Sequence, residues 1–382
     1  MLLFLFVMVL LQITIIFAQT ENPDKPKYGI WDFNLNEEWT VSEPDGELFF
    51  QITQMKVPYE GPVYLYDYKH AKIFVFDPES GRLIKSFGKE GQGPGEFNMV
   101  LNFFITPEHF IVYDFGKIHI LVLGGEYDYQ ESKVFDSSKG TPPSLFLEKN
   151  RFLTVPRDPA HPDAPKRIDI LDLEKGSIST IAGIPLSELE LKSSKKRQAS
   201  TNLGGGGIGT FKSTETYIMT LKGDILYFGL NDQFIIKAVN LNGDERMSFS
   251  LKGRKRIKTS KEYRKEKEDS IKRGSHNYPP AVLQVMLDNI HLEATYFYKL
   301  HVDENGLIYV FVSDIDNSDR EIIDIFSPKG EYVYQSEISA PEGYNFHSSG
   351  VHFFKNGLFC VIENEDGEYQ FKKYKITPPP VK

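Results

Sequence analysis

Short runs of aromatic and β-branched residues, separated by turn residues, recur along most of this chain. The clearest block is VYLYDYKHAKIFVFDPESGRLIKSFG (63–88), where three such runs are separated by Lys-His and by Pro-Glu-Ser-Gly. Runs of this kind are typical of β-strands, and both separators favour tight turns. Five more sets of runs follow, ending near residue 376. Four-stranded units that repeat at roughly 40–50 residues predict an all-β chain folded as a six-bladed β-propeller.

The composition agrees with a chain made mainly of strands. The 382 residues include 10 alanines but 29 phenylalanines and 20 tyrosines, and alanine favours helices whereas aromatic residues favour strands. The formal net charge of −9 argues against nucleic acid as a partner, because phosphate binding depends on cations. Cys360 is the one cysteine of the chain. No intrachain disulfide can form, and the apolar neighbours of Cys360 indicate a buried side chain rather than a nucleophile.

The N-terminal sequence MLLFLFVMVLLQITIIFA (1–18) carries no charged side chain and precedes the charged, proline-containing stretch 21–27. This pattern predicts a signal peptide over residues 1–18, cleaved before Gln19, and hence a secreted or periplasmic protein. The alternative is an uncleaved membrane anchor, since a segment of this length barely spans a bilayer.

The remaining chain divides into an N-terminal extension (19–46), the propeller (47–376) and a short tail (377–382). A strand near Glu47–Thr53 is expected to close the ring by pairing with Tyr369–Ile376. Unpaired strand edges at such a junction would otherwise promote aggregation.

A polar insertion interrupts the strands before the fifth blade, at about residues 252–295. Thr259 followed by Glu262 matches a capping box and predicts a helix over residues 260–273. A second short helix is expected at Ala281–Ile290. Residues 252–273 carry 11 Lys and Arg against 4 Asp and Glu, so this segment could contact an anionic surface. The alternative is a solvated helix whose charges pair along its own faces.

Two glycine-rich segments predict different local structures. The run Gly204–Gly207 lies in a polar stretch without the flanking strand and helix of a phosphate-binding loop, and it indicates a flexible connection. The segment FGKEGQGPGEF (87–97) has glycines at four closely spaced positions, Gly88, Gly91, Gly93 and Gly95. This spacing predicts a tight turn with positive φ angles. Phe97 then supplies an apolar side chain that anchors the turn between neighbouring sheets.

The segment 87–97 resembles the connection between blades in six-bladed propeller proteins that bacteria secrete, which are relatives of the NHL-repeat propellers. In that family a strand that ends in Phe-Gly leads into a Gly-rich turn closed by Gly-x-Phe. Phe87 and Gly88 match the first element, and residues 95–97 match the second. Residues 275–311 also resemble the family's late blades, in which a Tyr-Pro turn precedes an Asp-x-x-Gly-x-x-Tyr-Val strand pair. The resemblance implies a secreted interaction scaffold, because most members have no assigned activity.

The first strand of each propeller blade lines a central channel. On this basis the runs place six polar residues at the channel or one of its mouths: Asp67, Asn102, Glu148, Lys222, His301 and His352. Carboxylate, amide and imidazole groups are suitable ligands for a divalent cation. Such a site resembles the channel of lactonase-type six-bladed propellers. The alternative is a solvated lining, because a register shift of one residue turns each side chain away.

The segment SDIDNSDRE (313–321) contains three aspartates at a spacing found in calcium loops: Asp314, Asp316 and Asp319. An EF-hand loop also needs Gly at its sixth position and Glu at its twelfth, and this chain has Asp319 and Ile325 there. A polar hairpin between two strands explains the same residues. The sequence contains neither HExxH nor Gly-x-Ser-x-Gly, so it lacks these zinc-hydrolase and serine-hydrolase motifs.

These features predict a secreted, monomeric scaffold that binds a protein, peptide or glycan through a loop-rich face. No catalytic residue and no cofactor are assigned. The alternative is a metal-dependent hydrolase or lyase with its site in the central channel, holding a divalent cation.

Overall fold

The computed structural model describes residues 19–58, 60–106, 108–114, 117–123, 127–134, 143–148, 151–155, 167–172, 174–175, 177–183, 217–274, 287, 293–314, 316–355 and 357–381. The leader 1–18 and the glycine run 204–207 lie outside these residues. The same holds for the expected helix at 281–290, apart from Leu287.

Two short strands precede the blades, β1 (Thr20–Asn22) and β2 (Asn36–Val41). Blade 1 consists of β3 (Ile52–Lys56), β4 (Val63–Asp67), β5 (Lys72–Phe76) and β6 (Leu83–Phe87). Blade 2 consists of β7 (Val100–Ile105), β8 (His109–Asp114), β9 (Lys117–Val122) and β10 (Tyr129–Val134). Blade 3 consists of β11 (Leu145–Glu148), β12 (Arg151–Thr154), β13 (Arg167–Asp172) and β14 (Ser177–Gly183).

The other three blades follow the same plan. Blade 4 consists of β15 (Tyr217–Lys222), β16 (Ile225–Leu230), β17 (Ile235–Asn240) and β18 (Glu245–Leu251). Blade 5 consists of β19 (Phe297–Val302), β20 (Ile308–Val312), β21 (Arg320–Phe326) and β22 (Tyr332–Ser339). Blade 6 consists of β23 (Tyr344–Phe354), β24 (Gly357–Asn364) and β25 (Tyr369–Lys375), with β2 as its fourth strand. The prediction of an all-β, six-bladed propeller is therefore confirmed.

The strand that closes the ring differs from the one expected. β2 pairs antiparallel with β25, with Glu37 opposite Tyr374 and Val41 opposite Phe371. The expected closing segment Glu47–Thr53 instead leads into β3, which pairs with β4 as the innermost strand of blade 1. An outermost strand needs an apolar surface on one face only. Trp39 supplies it by packing on Phe371, with 4.9 Å between ring centroids.

Each blade contains four antiparallel strands, to which blade 4 adds β1 at its outer edge, parallel to β18. Every innermost strand therefore starts at the same end of the ring. The innermost strands are β3, β7, β11, β15, β19 and β23. The end of the ring where these strands begin is called the start face, and the opposite end is called the end face. Turns after the second strand of a blade lie at the start face, and turns after the first strand lie at the end face.

The hydrophobic core is divided among the seams between neighbouring blades. The seam between blades 1 and 2, for example, contains Tyr66 and Val75 from blade 1 and Phe103 and Phe110 from blade 2. Strands between two such seams are apolar on both faces, as in β4, where all five residues are buried. Burial of apolar surface of this extent supplies most of the stability of a fold.

The insertion after blade 4 contains α1 (Lys261–Gly274). The helix is capped by Ser260, whose hydroxyl accepts a hydrogen bond from the amide of Tyr263 at 2.9 Å. The expected cap, Thr259, is buried instead. Within the part of the chain that the structure describes, no helix combines the length and apolar character needed to cross a membrane.

Candidate functional site: the two ends of the central channel

Asp67 does not lie on an innermost strand, as the sequence analysis assumed, but ends the second strand of blade 1. Its side chain is fully buried. The carboxylate accepts hydrogen bonds from the backbone amides of Phe50 (2.8 Å), Gln51 (3.2 Å), Lys69 (3.1 Å) and His70 (3.4 Å). It also contacts Nδ1 of His70 at 3.1 Å. Asp67 therefore fixes the backbone that enters β3 and is not a channel ligand.

The same device recurs in blade 2. Asp114 ends β8, and its carboxylate accepts hydrogen bonds from the amides of Asn98 (2.9 Å) and Met99 (2.6 Å), just before β7. Nε2 of His119 lies 3.5 Å from the same carboxylate. Burial alone would raise the pKa of Asp114, but the bonds from His119 and the two amides lower it below its ordinary value.

The segment held by Asp67 exposes a group of apolar side chains at the start face. Phe49 is buried in the seam between blades 6 and 1, whereas its neighbours Leu48 and Phe50 are 50% and 59% exposed. Tyr68, directly after Asp67, is 41% exposed. The rings of Phe50 and His70 meet edge to face, with 4.8 Å between centroids. We call Leu48, Phe50, Tyr68 and His70 the start-face platform.

The other five channel candidates do lie on innermost strands. Asn102 is on β7, Lys222 on β15, His301 on β19 and His352 on β23. The Oδ1 atom of Asn102 accepts a hydrogen bond from the next amide at 3.0 Å, and its Nδ2 atom donates to the carbonyl oxygen of Ser144 at 3.4 Å. The ammonium group of Lys222 donates to the carbonyl oxygen of Asp303. Glu148 lies at the end of β11, and its side chain is outside the described part of the structure.

Two lysines of the channel were missed by the sequence analysis, Lys56 at the end of β3 and Lys299 in β19. Burial lowers the pKa of Lys56 to about 8. Burial likewise lowers the pKa of Lys299 to about 7, with a further decrease from Lys56 and an opposing effect of Glu321. The pKa of His301 falls to about 3, because of burial and the charges of Lys299 and Lys222. The described part of the lining therefore includes the cationic groups of Lys56, Lys222 and Lys299 beside the residues that were considered as metal ligands or as a solvated lining.

Among the described residues, no group of three or more His, Cys, Asp or Glu side chains is arranged to hold a metal ion. The loop aspartates have separate partners. Asp314 accepts hydrogen bonds from Asn317 (2.9 Å) and Arg320 (2.9 Å). Asp316 accepts one from the amide of Ser260 at 2.5 Å and so holds the start of α1. The backbone oxygen of Asp319 accepts a bond from the amide of Ala340 at 2.7 Å.

The glycine-rich segment forms the connection between blades 1 and 2. Phe97 is fully buried in the seam between these blades, and its amide donates to the carbonyl of Lys89 at 2.8 Å. Gly88 (φ 91°), Gly91 (φ 155°) and Gly95 (φ 72°) have positive φ, whereas Gly93 does not. A Cβ atom on Gly88 would lie 2.7 Å from the ring of Phe97 and 2.8 Å from the oxygen of Ala71, so this position has no space for a side chain.

Part of the basic segment 252–273 is engaged inside the molecule. Arg254 forms ion pairs with Asp324 and Asp24. Arg256 donates to the carbonyl of Asp232 at 2.6 Å. A cavity of about 120 Å³ lies beneath this stretch, between it and the outer part of blade 5. Lys255, Lys258, Lys261 and Lys265 are exposed, and contact with an anionic surface through them stays a prediction.

Comparison with known proteins agrees with this architecture. Residues 44–159 match the model of a family described as 6-bladed beta-propeller, DUF5128. A solved structure of a DUF4221 member from Bacteroides vulgatus ATCC 8482 is similar with a TM-score of 0.60 and 12% identity, over 91% of this chain and 98% of that chain. A solved structure of a protein from Bacteroides fragilis NCTC 9343, for which export has been inferred, is also similar. Its TM-score is 0.53 and its identity 11%, over 94% of this chain and 99% of that chain. The search of curated proteins finds no match. The chain is thus a six-bladed β-propeller, and its residues 44–159, which include blades 1 and 2 and the first two strands of blade 3, match the DUF5128 family model.

Proposed function

We propose that this protein is an exported binding scaffold that holds an apolar segment of a protein or peptide on its start face. The observation that carries the proposal is the start-face platform, in which exposed apolar side chains stand on a backbone fixed by the buried carboxylate of Asp67. A binding surface of this kind does not need a flexible loop to become ordered on contact.

Rigidity at a binding surface increases affinity, because less conformational entropy is lost when the complex forms. Asp67 connects two separate stretches, residues 50–51 and residues 69–70. A further bond joins the amide of Tyr68 to the oxygen of Gln51 at 2.9 Å. The backbone at Phe50 and Tyr68 is therefore held in one arrangement before a partner binds.

The chemistry of the platform favours a peptide over a glycan. Glycans present hydroxyl groups that need hydrogen-bonding partners beside an aromatic ring. The ring of Phe50 meets the ring of His70 here, and Leu48 lies two residues before Phe50 in the chain. Exposed apolar groups of this type fit aliphatic or aromatic side chains of a partner. Binding of a glycan at the same place is an outcome of the test below.

Export is supported by the uncharged apolar leader at residues 1–18. The expected mature protein starts near Gln19. Mass spectrometry of the protein recovered from its native host measures this directly. An intact leader on soluble protein would contradict cleavage.

The alternative, a metal-dependent hydrolase or lyase, has less support. Divalent cations bind oxygen and imidazole ligands, whereas the described channel side chains include the ammonium groups of Lys56, Lys222 and Lys299. Like charges repel, so a divalent cation is disfavoured beside these groups.

Selection from a random peptide-display library tests the proposal, with a glycan array probed in parallel. Wild-type protein is expected to select peptides with apolar anchors, and Phe50→Ala and Tyr68→Ala are expected to weaken their binding at least about tenfold. Ile84→Ala is the matched control, because Ile84 is 46% exposed on the outermost strand of the same blade. The proposal would be contradicted if Ile84→Ala weakened peptide binding as much as the platform variants do. It would also be contradicted if the selected peptides bound Phe50→Ala and Tyr68→Ala as tightly as wild type. Binding of glycans alone would replace the peptide with a glycan.

A further inference from the structure

We propose that the central channel binds a small oxyanion, such as a sulfate, phosphate or carboxylate group, between the ammonium groups of Lys56, Lys222 and Lys299. This site lies toward the end face. It is separate from the start-face platform and does not depend on the proposed peptide binding.

The three lysines come from blades that are far apart around the ring. Lys56 is the last residue of β3 in blade 1, and Lys222 is the last residue of β15 in blade 4, on the opposite side of the channel. Lys299 lies on β19 in blade 5. Blade 6 separates blades 5 and 1, yet the charge of Lys56 acts on Lys299. Lys222 and Lys299 both act on His301. All three lysines stand on innermost strands, and Lys222 reaches Asp303 of blade 5 while Lys299 reaches Val351 of blade 6, so these ammonium groups face the channel.

The channel lysines have few partners within the protein. Lys222 donates to the carbonyl oxygen of Asp303, and Lys299 donates to that of Val351 at 2.5 Å. Lys56 lies over the ring of Phe103, with 5.7 Å from Nζ to the centroid. An ammonium group has three donors, so each of the three keeps hydrogen-bonding capacity for a ligand. Within the described chain, none of them forms an ion pair with a carboxylate.

Two other lysines of low exposure, in contrast, form ion pairs with carboxylates. Lys372 pairs with Glu37 at 2.8 Å, and Lys373 pairs with Glu38 at 2.9 Å and Glu79 at 2.8 Å. The chain thus places carboxylates beside buried ammonium groups elsewhere. Burying an uncompensated charge is costly, and such groups cluster at functional sites. Among the described residues, no carboxylate forms an ion pair with Lys56, Lys222 or Lys299, and this excess of positive charge points to a ligand that supplies negative charge.

The remaining polar groups near these lysines fit an anion. Glu321, on β21, is the acidic residue whose charge acts on Lys299, where it opposes part of the effect of burial. His301 is neutral at physiological pH, since its pKa is about 3, and its ring can donate one hydrogen bond to an oxyanion.

Isothermal titration calorimetry with sodium sulfate at pH 6, with sodium chloride at equal ionic strength as reference, tests the site. Sulfate stays dianionic across the working range, so its own charge does not change. Lys299→Met and Lys56→Met are each expected to weaken sulfate binding at least about tenfold, as for removal of one partner of a buried charge pair. Lys299→Arg keeps the charge and is expected to restore most of the affinity. Lys255→Met, at an exposed lysine of the basic segment, is the matched control.

Loss of sulfate binding in Lys255→Met, with binding kept in the channel variants, would place the anion on the outer surface and overturn the proposal. Absence of sulfate binding by the wild type would also overturn it. Thermal melts establish that each variant is folded, and Lys56→Met and Lys299→Met serve as independent variants on different blades. A second titration with an alkyl phosphate, compared with inorganic phosphate, determines whether the oxyanion is a free ion or part of a larger ligand.

Discussion

Two regions of the molecule hold buried charge in opposite ways. At the start face, the carboxylate of Asp67 accepts hydrogen bonds from four backbone amides. In the channel, Lys56 and Lys299 lie near the rings of Phe103 and Phe311, and burial lowers the pKa of both lysines. A compensated charge stabilises a fold, whereas an uncompensated one lowers its stability until a ligand binds. The comparison separates charge that builds the ring from charge left available to a ligand.

The largest expected effect follows from removing the start-face charge. Asp67→Ala leaves four backbone amides without their acceptor, and we expect a loss of about 3–5 kcal/mol in the free energy of unfolding. Urea denaturation at pH 7 measures the change. A loss below about 1 kcal/mol would mean that Asp67 does not hold the start face together.

Asp114 gives a pH-dependent version of the same test. Its folded pKa is below the ordinary value of 3.8, so its stabilisation is fully present above that pH and is lost as pH falls through the folded pKa. Asp114→Asn is expected to lower the free energy of unfolding by about 1–3 kcal/mol at pH 7 and to lose less stability than wild type on acidification. Denaturant titrations between neutral and acidic pH provide the measurement. Parallel pH profiles for the two proteins would contradict this role.

Removal of a channel charge is expected to change the free energy of unfolding in the opposite direction. Lys299→Met removes a desolvated ammonium group, and we expect a gain of about 1 kcal/mol or more in the free energy of unfolding at pH 6. The folded pKa of Lys299 falls from 10.5 to about 7, so wild-type stability rises with pH between these values while only the unfolded chain holds the proton. The gain in the variant is therefore largest below pH 7 and fades toward pH 10.5. Urea denaturation in sulfate-free buffer measures it, and a loss of stability would indicate that Lys299 is a structural group.

The smallest effect on stability is expected at the exposed platform. Phe50→Ala removes a side chain that is largely in solvent, so the free energy of unfolding should change by no more than about 0.5 kcal/mol. A thermal melt of the variant beside wild type tests this expectation. A large decrease would show that the ring of Phe50 is part of the core and not a binding surface.

The fold could be predicted from the sequence because strands between two seams are apolar on both faces, as in β4 and β5. The closing strand could not be predicted in this way, because β2 is the outermost strand of blade 6 and its charged side chains form ion pairs with the adjacent strand. Glu37 and Glu38 contact Lys372 and Lys373 of β25, and a strand of this type lacks an apolar pattern. Because the closing strand was expected at residues 47–53, Asp67 was expected on an innermost strand, whereas it ends the second strand of blade 1.

The site was harder to predict for two different reasons. Asp67 and Asp114 each follow a tyrosine at the end of a run, Tyr66 and Tyr113, and this repeated pair was a usable signal for their common role. The channel lysines carry no such signal. Lys56 and Lys299 are 243 positions apart (299 − 56) and come together only through closure of the ring. Proximity of this kind depends on the fold as a whole.

Direct titration of the channel lysines by NMR, after ¹³C-methylation of the amines, tests the central claim of uncompensated channel charge. We expect Lys299 to titrate near pH 7 and Lys56 near pH 8 in sulfate-free buffer. Saturating sulfate should raise both pKa values by at least about one unit, because an anion favours the charged form. Resonances are assigned by comparison with Lys299→Met and Lys56→Met. Titration of both lysines near 10.5, unchanged by sulfate, would contradict the claim.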